Sequence, residues 1–302
     1  MTFTSRQVAA AAGMPLADVR RLWRALGFAD ARGAASFTAA DIEALSLASD
    51  LVGDDLMDFE TIVQLTRALG RTMSRLADWQ VSTLRETGDP RATSDRSAVA
   101  FEQLLVYAWR RHLEAATVRR RSRPDLDAPA GSESARTATE TVGFADLVGF
   151  TSLSNGLATD ELASLVETFE ARCSDLVAAG GGRVVKTLGD SVLFLAPHPV
   201  VGTEVALAVV ETLGTDPELP DVRLGVATGK VVLRLGDAFG PPVNLAARLT
   251  AVARRNHVIV DARTAAALAP DSYVTRTLTP RPMRGFGDVE PITVRRHWNT
   301  AP

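Results

Sequence analysis

The chain has 302 residues, 46 % of them apolar and 23 % charged, which is the composition of a globular protein long enough for two domains. Its net charge of −3 gives no indication of binding to nucleic acid or to an acidic membrane surface. A single cysteine, Cys173, excludes a disulfide framework. We expect a cytoplasmic protein, because no apolar run reaches the ~18 residues of a membrane span and the segment MTFTSRQVAA lacks the features of a secretory signal.

Residues 1–118 are predicted to be helical, because their apolar residues recur at helical spacing without strand-like alternation. The segments that show this pattern are RQVAAAAG, PLADVRRLWRALG, AADIEALSLASDLV and DFETIVQLTRALGRTMSRLADWQVSTLRE. Thr4 or Ser5 can cap the first helix, and Gly13 and Gly27 can end two of the helices. A longer helix is expected from about Ser97 to Arg121.

Residues 119–138, RRRSRPDLDAPAGSESARTA, change in character. The segment is first basic and then rich in proline, alanine, glycine and serine, which is typical of a linker. We therefore divide the chain into a helical domain at 1–118, a linker at 119–138 and a second domain at 139–302.

From Thr139 onward the pattern is mixed. Strands are predicted at TETVGFADL, GRVVKTL, SVLFLA, VRLGVATGKVVL (possibly two strands) and HVIVD, and helices at DELASLVETFEARCSDLVAAG, HPVVGTEVALAVVETLG and VNLAARLTAVAR. The order β-α-β-β-α-β with additions predicts an α+β, ferredoxin-like fold. Such a fold has an antiparallel sheet with helices packed on one face.

Two aspartates, Asp146 and Asp190, each lie where an apolar strand meets glycine or a turn. If the two strands are neighbours, the carboxylates converge, and two carboxylates repel each other unless cations lie between them. Mg²⁺ is usually held by one or two carboxylates together with phosphate oxygens. A turn role is the alternative for either residue, since Gly189-Asp190 is also an acceptable hairpin pair.

Lys186 is one of only two lysines among 33 basic residues, and it lies on an apolar strand four residues before Asp190. Because the chain uses arginine at almost every other basic position, a lysine here indicates that the compact ammonium group is needed rather than the planar guanidinium of arginine. Paired with Asp237, it could present one donor and one acceptor to the edge of an adenine ring. A surface salt bridge is the alternative.

Asn244 and Arg248 are four residues apart on the helix predicted to begin near Val243, so they project from one face. Arginine offers a fixed charge to a developing phosphorane, and asparagine an orienting hydrogen bond. The alternative is an ordinary exposed helix face.

The segments FADLVGFT, KTLGDSVLF and GDAFGPPVNLAARL resemble, in this order and spacing, the catalytic domain of class III adenylyl cyclases. The resemblance covers about residues 138–298. It implies that Asp146 and Asp190 bind two divalent cations, Mg²⁺ or Mn²⁺. It also implies conversion of ATP to 3′,5′-cyclic AMP and pyrophosphate, by attack of the ribose 3′-oxygen on the α-phosphate.

By the same resemblance, Lys186 and Asp237 read the adenine, Asn244 orients the ribose and Arg248 stabilises the transition state. In that family the metal ligands of one chain face the base-reading and transition-state residues of the other. A chain that carries both sets is therefore expected to be a homodimer with two shared sites. A guanylyl cyclase is the alternative activity.

The N-terminal helices show two resemblances. Residues 3–50 resemble the winged helix-turn-helix of MerR-type regulators, in which Arg20, Arg21 and Arg24 could face phosphates. However, arginines and acidic residues are equally many over residues 1–130, so we do not expect DNA binding. The whole layout is similar to the soluble, autoinhibited mycobacterial adenylyl cyclases, which implies a regulatory domain whose effector is unknown. The alternative is a DNA-binding regulator whose C-terminal domain only senses nucleotide.

Overall fold

The computed structural model describes residues 2–29, 37–89, 91–121, 137–234 and 236–297. The chain divides into two compact units, Met1–Ala115 and Ala116–Pro302. Most of the predicted linker, residues 122–136, lies outside the described residues. None of the helices within the described ranges is both long and apolar enough to cross a membrane.

The first unit is helical, as the sequence predicts. Its helices are α1 (Ser5–Ala11), α2 (Leu16–Ala25), α3 (Ala39–Gly53), α4 (Phe59–Glu86) and α5 (Asp95–Arg121), the last of which continues past the boundary at Ala115. Thr4 caps α1 through a reciprocal pair of hydrogen bonds with Gln7. Gly13 and Gly27 follow α1 and α2 with positive φ angles of 64° and 95°, which favour glycine and end the helices.

The core of the first unit is formed by α1 to α4. Its fully or nearly fully buried side chains include Val8, Val19, Leu22, Phe37 and Val63. Helix α5 differs, because none of its residues is buried. No residue of α5 belongs to this core.

The second unit is built on one sheet. Its strands are β1 (Thr137–Leu147), β2 (Arg183–Thr187), β3 (Ser191–Ala196), β4 (Val222–Arg234), β5 (Asp237–Phe239), β6 (His257–Val260), β7 (Tyr273–Thr277) and β10 (Ile292–Arg296). They follow the order β2-β3-β1-β4-β6-β10-β7, with β5 paired to β4. The strands β8 (Arg281–Met283) and β9 (Gly287–Val289) form a separate hairpin.

The helices of this unit are α6 (Phe150–Ser154), α7 (Thr159–Ala179), α8 (Pro199–Leu213), α9 (Pro241–Val252) and α10 (Ala262–Ala265). With α7 and α8, the antiparallel strands β1 to β4 form a βαββαβ unit in the order β2-β3-β1-β4, which confirms the ferredoxin-like prediction. The segment VRLGVATGKVVL lies within the single strand β4. The sheet is mixed rather than wholly antiparallel, because β6 is added parallel to β4.

Helices cover both faces of the sheet. The sequence predicted helices on one face only, but α7 and α8 cover one face and α9 covers the other. Side chains alternate along a strand. In β3, Val192 and Phe194 join the core under α7 and α8, whereas Leu193 and Leu195 join a second core that contains Ala246 of α9. The strand segments are apolar on both faces, so the sequence pattern alone does not show which helix each face meets.

Gly225 in β4 is a point of close approach between the sheet and α9. A Cβ atom placed there would lie 2.3 Å from the backbone nitrogen of Thr250 and 2.4 Å from the carbonyl oxygen of Ala246. Since both atoms belong to the helix backbone, α9 can seat against the sheet only where this side chain is absent.

We expect Gly225→Ala to lower the free energy of unfolding by about 1–3 kcal/mol, because overpacking forces a backbone shift. Chemical denaturation followed by circular dichroism measures the change. Gly156→Ala is the matched control, since the nearest atom to its added Cβ is 3.7 Å away. Equal stability of the two variants would contradict the close approach.

Candidate active site

Asp146, near the end of β1, and Asp190, in the turn that precedes β3, lie at the same end of the sheet. Asp146 is the residue before the end of β1 and is paired in register with Ser191, the first residue of β3. Asp190 directly precedes Ser191, and its carbonyl oxygen accepts a hydrogen bond of 3.0 Å from the backbone nitrogen of Leu147. The structure thus brings together the two carboxylates that the sequence analysis expected to converge.

The carboxylate of Asp146 is held from both sides. Ser191 Oγ donates to its Oδ1 at 2.6 Å, and Arg223 donates to its Oδ2 through Nε at 2.7 Å and Nη2 at 2.6 Å. The Asp146 side chain is only 14 % exposed. Arg223 also donates to the carbonyl oxygen of Ala251 in α9 at 3.2 Å. Asp146 is therefore fixed in one orientation by the strands on either side of it.

Sequence analysis missed Arg223. It is the second residue of strand β4, and the register places it directly opposite Asp146. The available signal was an arginine at the start of a strand that is buried along most of its length. Its partner could not be identified without the long-range register of β1 and β4.

Burial raises the pKa of the Asp190 carboxyl above its ordinary value, and the negative charge of Asp146 raises it further. A carboxyl with a raised folded-state pKa binds its proton more tightly in the folded protein. Folded stability therefore falls as the pH rises from the unfolded pKa through the folded one. The two acids form a site with excess negative charge, which a cation would relieve.

The donor set fits a hard divalent cation. Carboxylate oxygens suit Mg²⁺ and Mn²⁺ equally. No cluster of three or more histidine, cysteine, aspartate or glutamate residues suitable for a metal occurs among the described residues. Two carboxylates alone suffice for Mg²⁺ when phosphate oxygens and water complete its coordination.

Lys186 and Asp237 also meet, as the sequence analysis anticipated. Lys186 Nζ lies 2.7 Å from Asp237 Oδ2, and both side chains are partly exposed. Asp237 begins β5, and its Oδ1 accepts from the backbone nitrogen of Ala238 at 2.8 Å. Beside Lys186 the register of β2 shifts relative to β3. The pair thus presents a positioned donor next to a positioned acceptor.

Asn244 and Arg248 lie one turn apart on α9, and both are exposed. Arg248 Nε is 3.5 Å from the carbonyl oxygen of Arg284, which is a weak contact. Within the described part of the chain, no hydrogen bond or ion pair joins this pair to the Lys186–Asp237 pair or to the two aspartates. The six predicted residues therefore form three separate pairs in one chain.

The fold and the sequence are those of a class III nucleotidyl cyclase domain. Residues 133–295 match the family described as the adenylate and guanylate cyclase catalytic domain. The chain belongs to this family.

Two relatives match the chain over almost its whole length. An adenylate cyclase of Streptomyces coelicolor is 38 % identical over 97 % of this chain and 86 % of that protein. An adenylate cyclase of Glutamicibacter nicotianae is 38 % identical over 96 % of this chain and 77 % of that protein. The similarity therefore includes the helical unit as well as the cyclase domain.

Among solved structures, the adenylyl cyclase CyaB of P. aeruginosa superposes with a TM-score of 0.50 at 21 % identity. The match covers 55 % of this chain and 98 % of that one. At this identity the likeness supports the fold of the second unit and says nothing of its substrate.

The coupling between the two aspartates can be measured directly. We expect Asp146→Asn to lower the pKa of Asp190, because the amide keeps the shape of the side chain but removes its charge. The pKa should stay above the ordinary value, since burial is the larger cause. NMR titration of the carboxyl carbons in buffer free of divalent ions gives the value. Asp237→Asn is the control, and an unchanged Asp190 pKa in Asp146→Asn would contradict the proximity.

Proposed function

We propose that this chain is an adenylyl cyclase, which converts ATP to 3′,5′-cyclic AMP and pyrophosphate. The observation that carries the proposal is the convergence of Asp146 and Asp190 at the end of neighbouring strands. The relatives named adenylate cyclase, at 38 % identity over most of the chain, support ATP as the substrate.

Asp146 and Asp190 would hold two divalent cations, Mg²⁺ or Mn²⁺. When bound, such cations neutralise phosphate charge and make the ribose 3′-hydroxyl more acidic. Ser191 and Arg223 contribute by keeping the Asp146 carboxylate oriented.

Lys186 and Asp237 would read the base. The ammonium of Lys186 has further protons to donate beyond the one that Asp237 accepts. The pair can therefore donate to a ring nitrogen of adenine and accept from its exocyclic amine. Guanine exposes a different order of donors and acceptors on this edge, so the pair favours ATP over GTP.

Asn244 and Arg248 would act on the reacting centre. Asn244 would orient the ribose. Arg248 would stabilise the negative charge that develops as the 3′-oxygen attacks the α-phosphorus and pyrophosphate leaves. Both side chains are exposed, and among the described residues neither forms a hydrogen bond or ion pair with Asp146 or Asp190. This arrangement supports a shared site, in which a second copy supplies Arg248, Asn244, Lys186 and Asp237 to the carboxylates of the first.

Helices α4 and α5 support a homodimer independently. They expose large aromatic side chains, with Trp79 56 %, Tyr107 62 % and Trp109 59 % accessible in the single chain. These side chains would be covered if the two helices packed against a second copy of the chain. A homodimer would contain two equivalent sites, because each chain carries both halves.

The shared site is tested by mixing two inactive variants. We expect Asp146→Ala and Arg248→Ala each to be nearly inactive with ATP and Mn²⁺. Mixed in equal amounts, they should recover about a quarter of wild-type activity, since half of the dimers are mixed and each of these has one intact site. Formation of cyclic AMP is the measurement.

The control is a mixture of Asp146→Ala with Asp190→Ala, in which both defects fall on the same half-site and no recovery is expected. Failure of the first mixture to recover, with both variants folded and dimeric, would refute the shared site.

Turnover of GTP but not ATP by the wild type would favour a guanylyl cyclase. Absence of any turnover, together with sequence-specific DNA retention, would favour a regulator that only senses nucleotide.

We infer that the helical unit at residues 1–118 regulates the cyclase and that the linker at 119–138 transmits the change. The similarity to adenylate cyclases extends through the helical unit, which supports a role connected with the activity. DNA binding is less well supported, because Arg21 is neutralised by Glu60, with Nη2 and Oε2 2.7 Å apart. A paired arginine contributes little to phosphate binding.

We expect a variant that begins at residue 131 to respond differently from the full chain when pH and added ligands are varied, because it lacks the helical unit. Specific activity is compared at equal concentrations of dimer, established by light scattering. The control is the full chain with Gly53→Ala, which alters an open surface position of the helical unit. Identical profiles for the truncated and full chains would refute the regulatory role.

A further inference from the structure

The second unit contains a pocket of about 450 Å³ that includes none of the six residues discussed above. It lies on the face of the sheet that α9 covers, beyond the end of that helix. Its floor is a row of residues paired across three strands, Arg276 of β7, Thr293 of β10 and Ile259 of β6. Because paired residues share a face, these three side chains rise from one rigid surface.

The rim of the pocket is strongly basic. Arg254 follows α9, His257 begins β6, and Arg281 begins β8. Together with Arg276, these residues place three guanidinium groups and one imidazole around a single concavity. No aspartate or glutamate lines it.

These arginines have no acidic partner in the described chain, since no ion pair involves Arg254, Arg276 or Arg281 there. The neighbouring Arg255, which does not line the pocket, pairs with Asp221 at 3.5 Å. Like charges gathered in a cleft repel each other and concentrate anions from solution. The pocket therefore carries positive charge that no acidic side chain in its lining compensates.

We propose that this pocket binds a polyphosphate anion, either an inorganic di- or triphosphate or the phosphate chain of a nucleotide. Three arginines provide several forked donors, which match phosphate oxygens. Thr277 and Thr279 also line the pocket. The volume is within the range of small-molecule sites, and Ile259 and Leu278 give it an apolar part on which a nucleoside could rest.

Binding is tested on the full chain by isothermal titration calorimetry with inorganic tripolyphosphate in buffer that contains EDTA. Without divalent cations the paired aspartates repel phosphate, so the proposed active site does not compete. We expect one binding site per chain. In the double variant Arg276→Gln/Arg281→Gln the affinity should fall by about tenfold or more, because two charged hydrogen-bond donors are lost.

Arg255→Gln is the matched control, since it removes an exposed neighbouring arginine that lies outside the pocket. It should bind tripolyphosphate as the wild type does. A second titration with ATP distinguishes the two sources of phosphate. Binding that is tighter than that of tripolyphosphate and is weakened in Arg276→Gln/Arg281→Gln assigns a nucleotide, and equal or weaker binding assigns an inorganic anion.

Two results would overturn the proposal: no heat of binding with the wild type, or equal affinity in the double variant and the wild type. Thermal unfolding of each variant verifies that it is folded. Because the readout is binding without divalent ions, it does not depend on cyclase activity, and failure of the proposed function would leave this test intact.

Discussion

The register between β1 and β3 is the constraint on which the site depends. It sets Asp146 opposite Ser191, so that Asp190, one residue earlier, is brought beside a second acid. A slip of one residue would turn Asp146 to the other face of the sheet. The buried residues of β1 and β3 belong to both cores, and this double burial fixes the register that the acidic pair requires.

Bringing the two acids together leaves negative charge in the site that the protein does not fully compensate. Burial and mutual repulsion raise the pKa of Asp190, while Arg223 and Ser191 hold Asp146 in place. The site is thus only half neutralised by the protein. Such a site is suited to cations, because a cation removes the repulsion between the two carboxylates that the folded chain maintains. Bound cations would in turn attract a polyanionic substrate.

Much of the fold could be predicted from the sequence, because the helices, their boundaries and the order of the strands depend on local signals. Helical spacing predicted the first unit, Thr4 and Gly13 predicted its first helix boundaries, and the short strand segments predicted the βαββαβ order. The Lys186–Asp237 pair was anticipated because a lysine in an arginine-rich chain is itself a signal.

The features that were missed depend on contacts between distant residues. Arg223 meets Asp146 only through the register of β1 and β4, and α9 lies on the second face of a sheet whose strands are apolar on both sides. The basic pocket joins β6, β7, β8 and β10 with the end of α9, and no local pattern links them. The roles of the six site residues remain predictions of the resemblance.

The hairpin of β2 and β3 carries Lys186 on one arm and Asp190 at its turn. In the proposed dimer, Lys186 would serve one reaction centre and Asp190 the other. A single hairpin would then be shared between two substrates, so that a shift of the hairpin on occupation of one centre changes the geometry offered to the second. Cooperativity between the two centres would follow from the connectivity of the chain itself, without any separate relay between subunits.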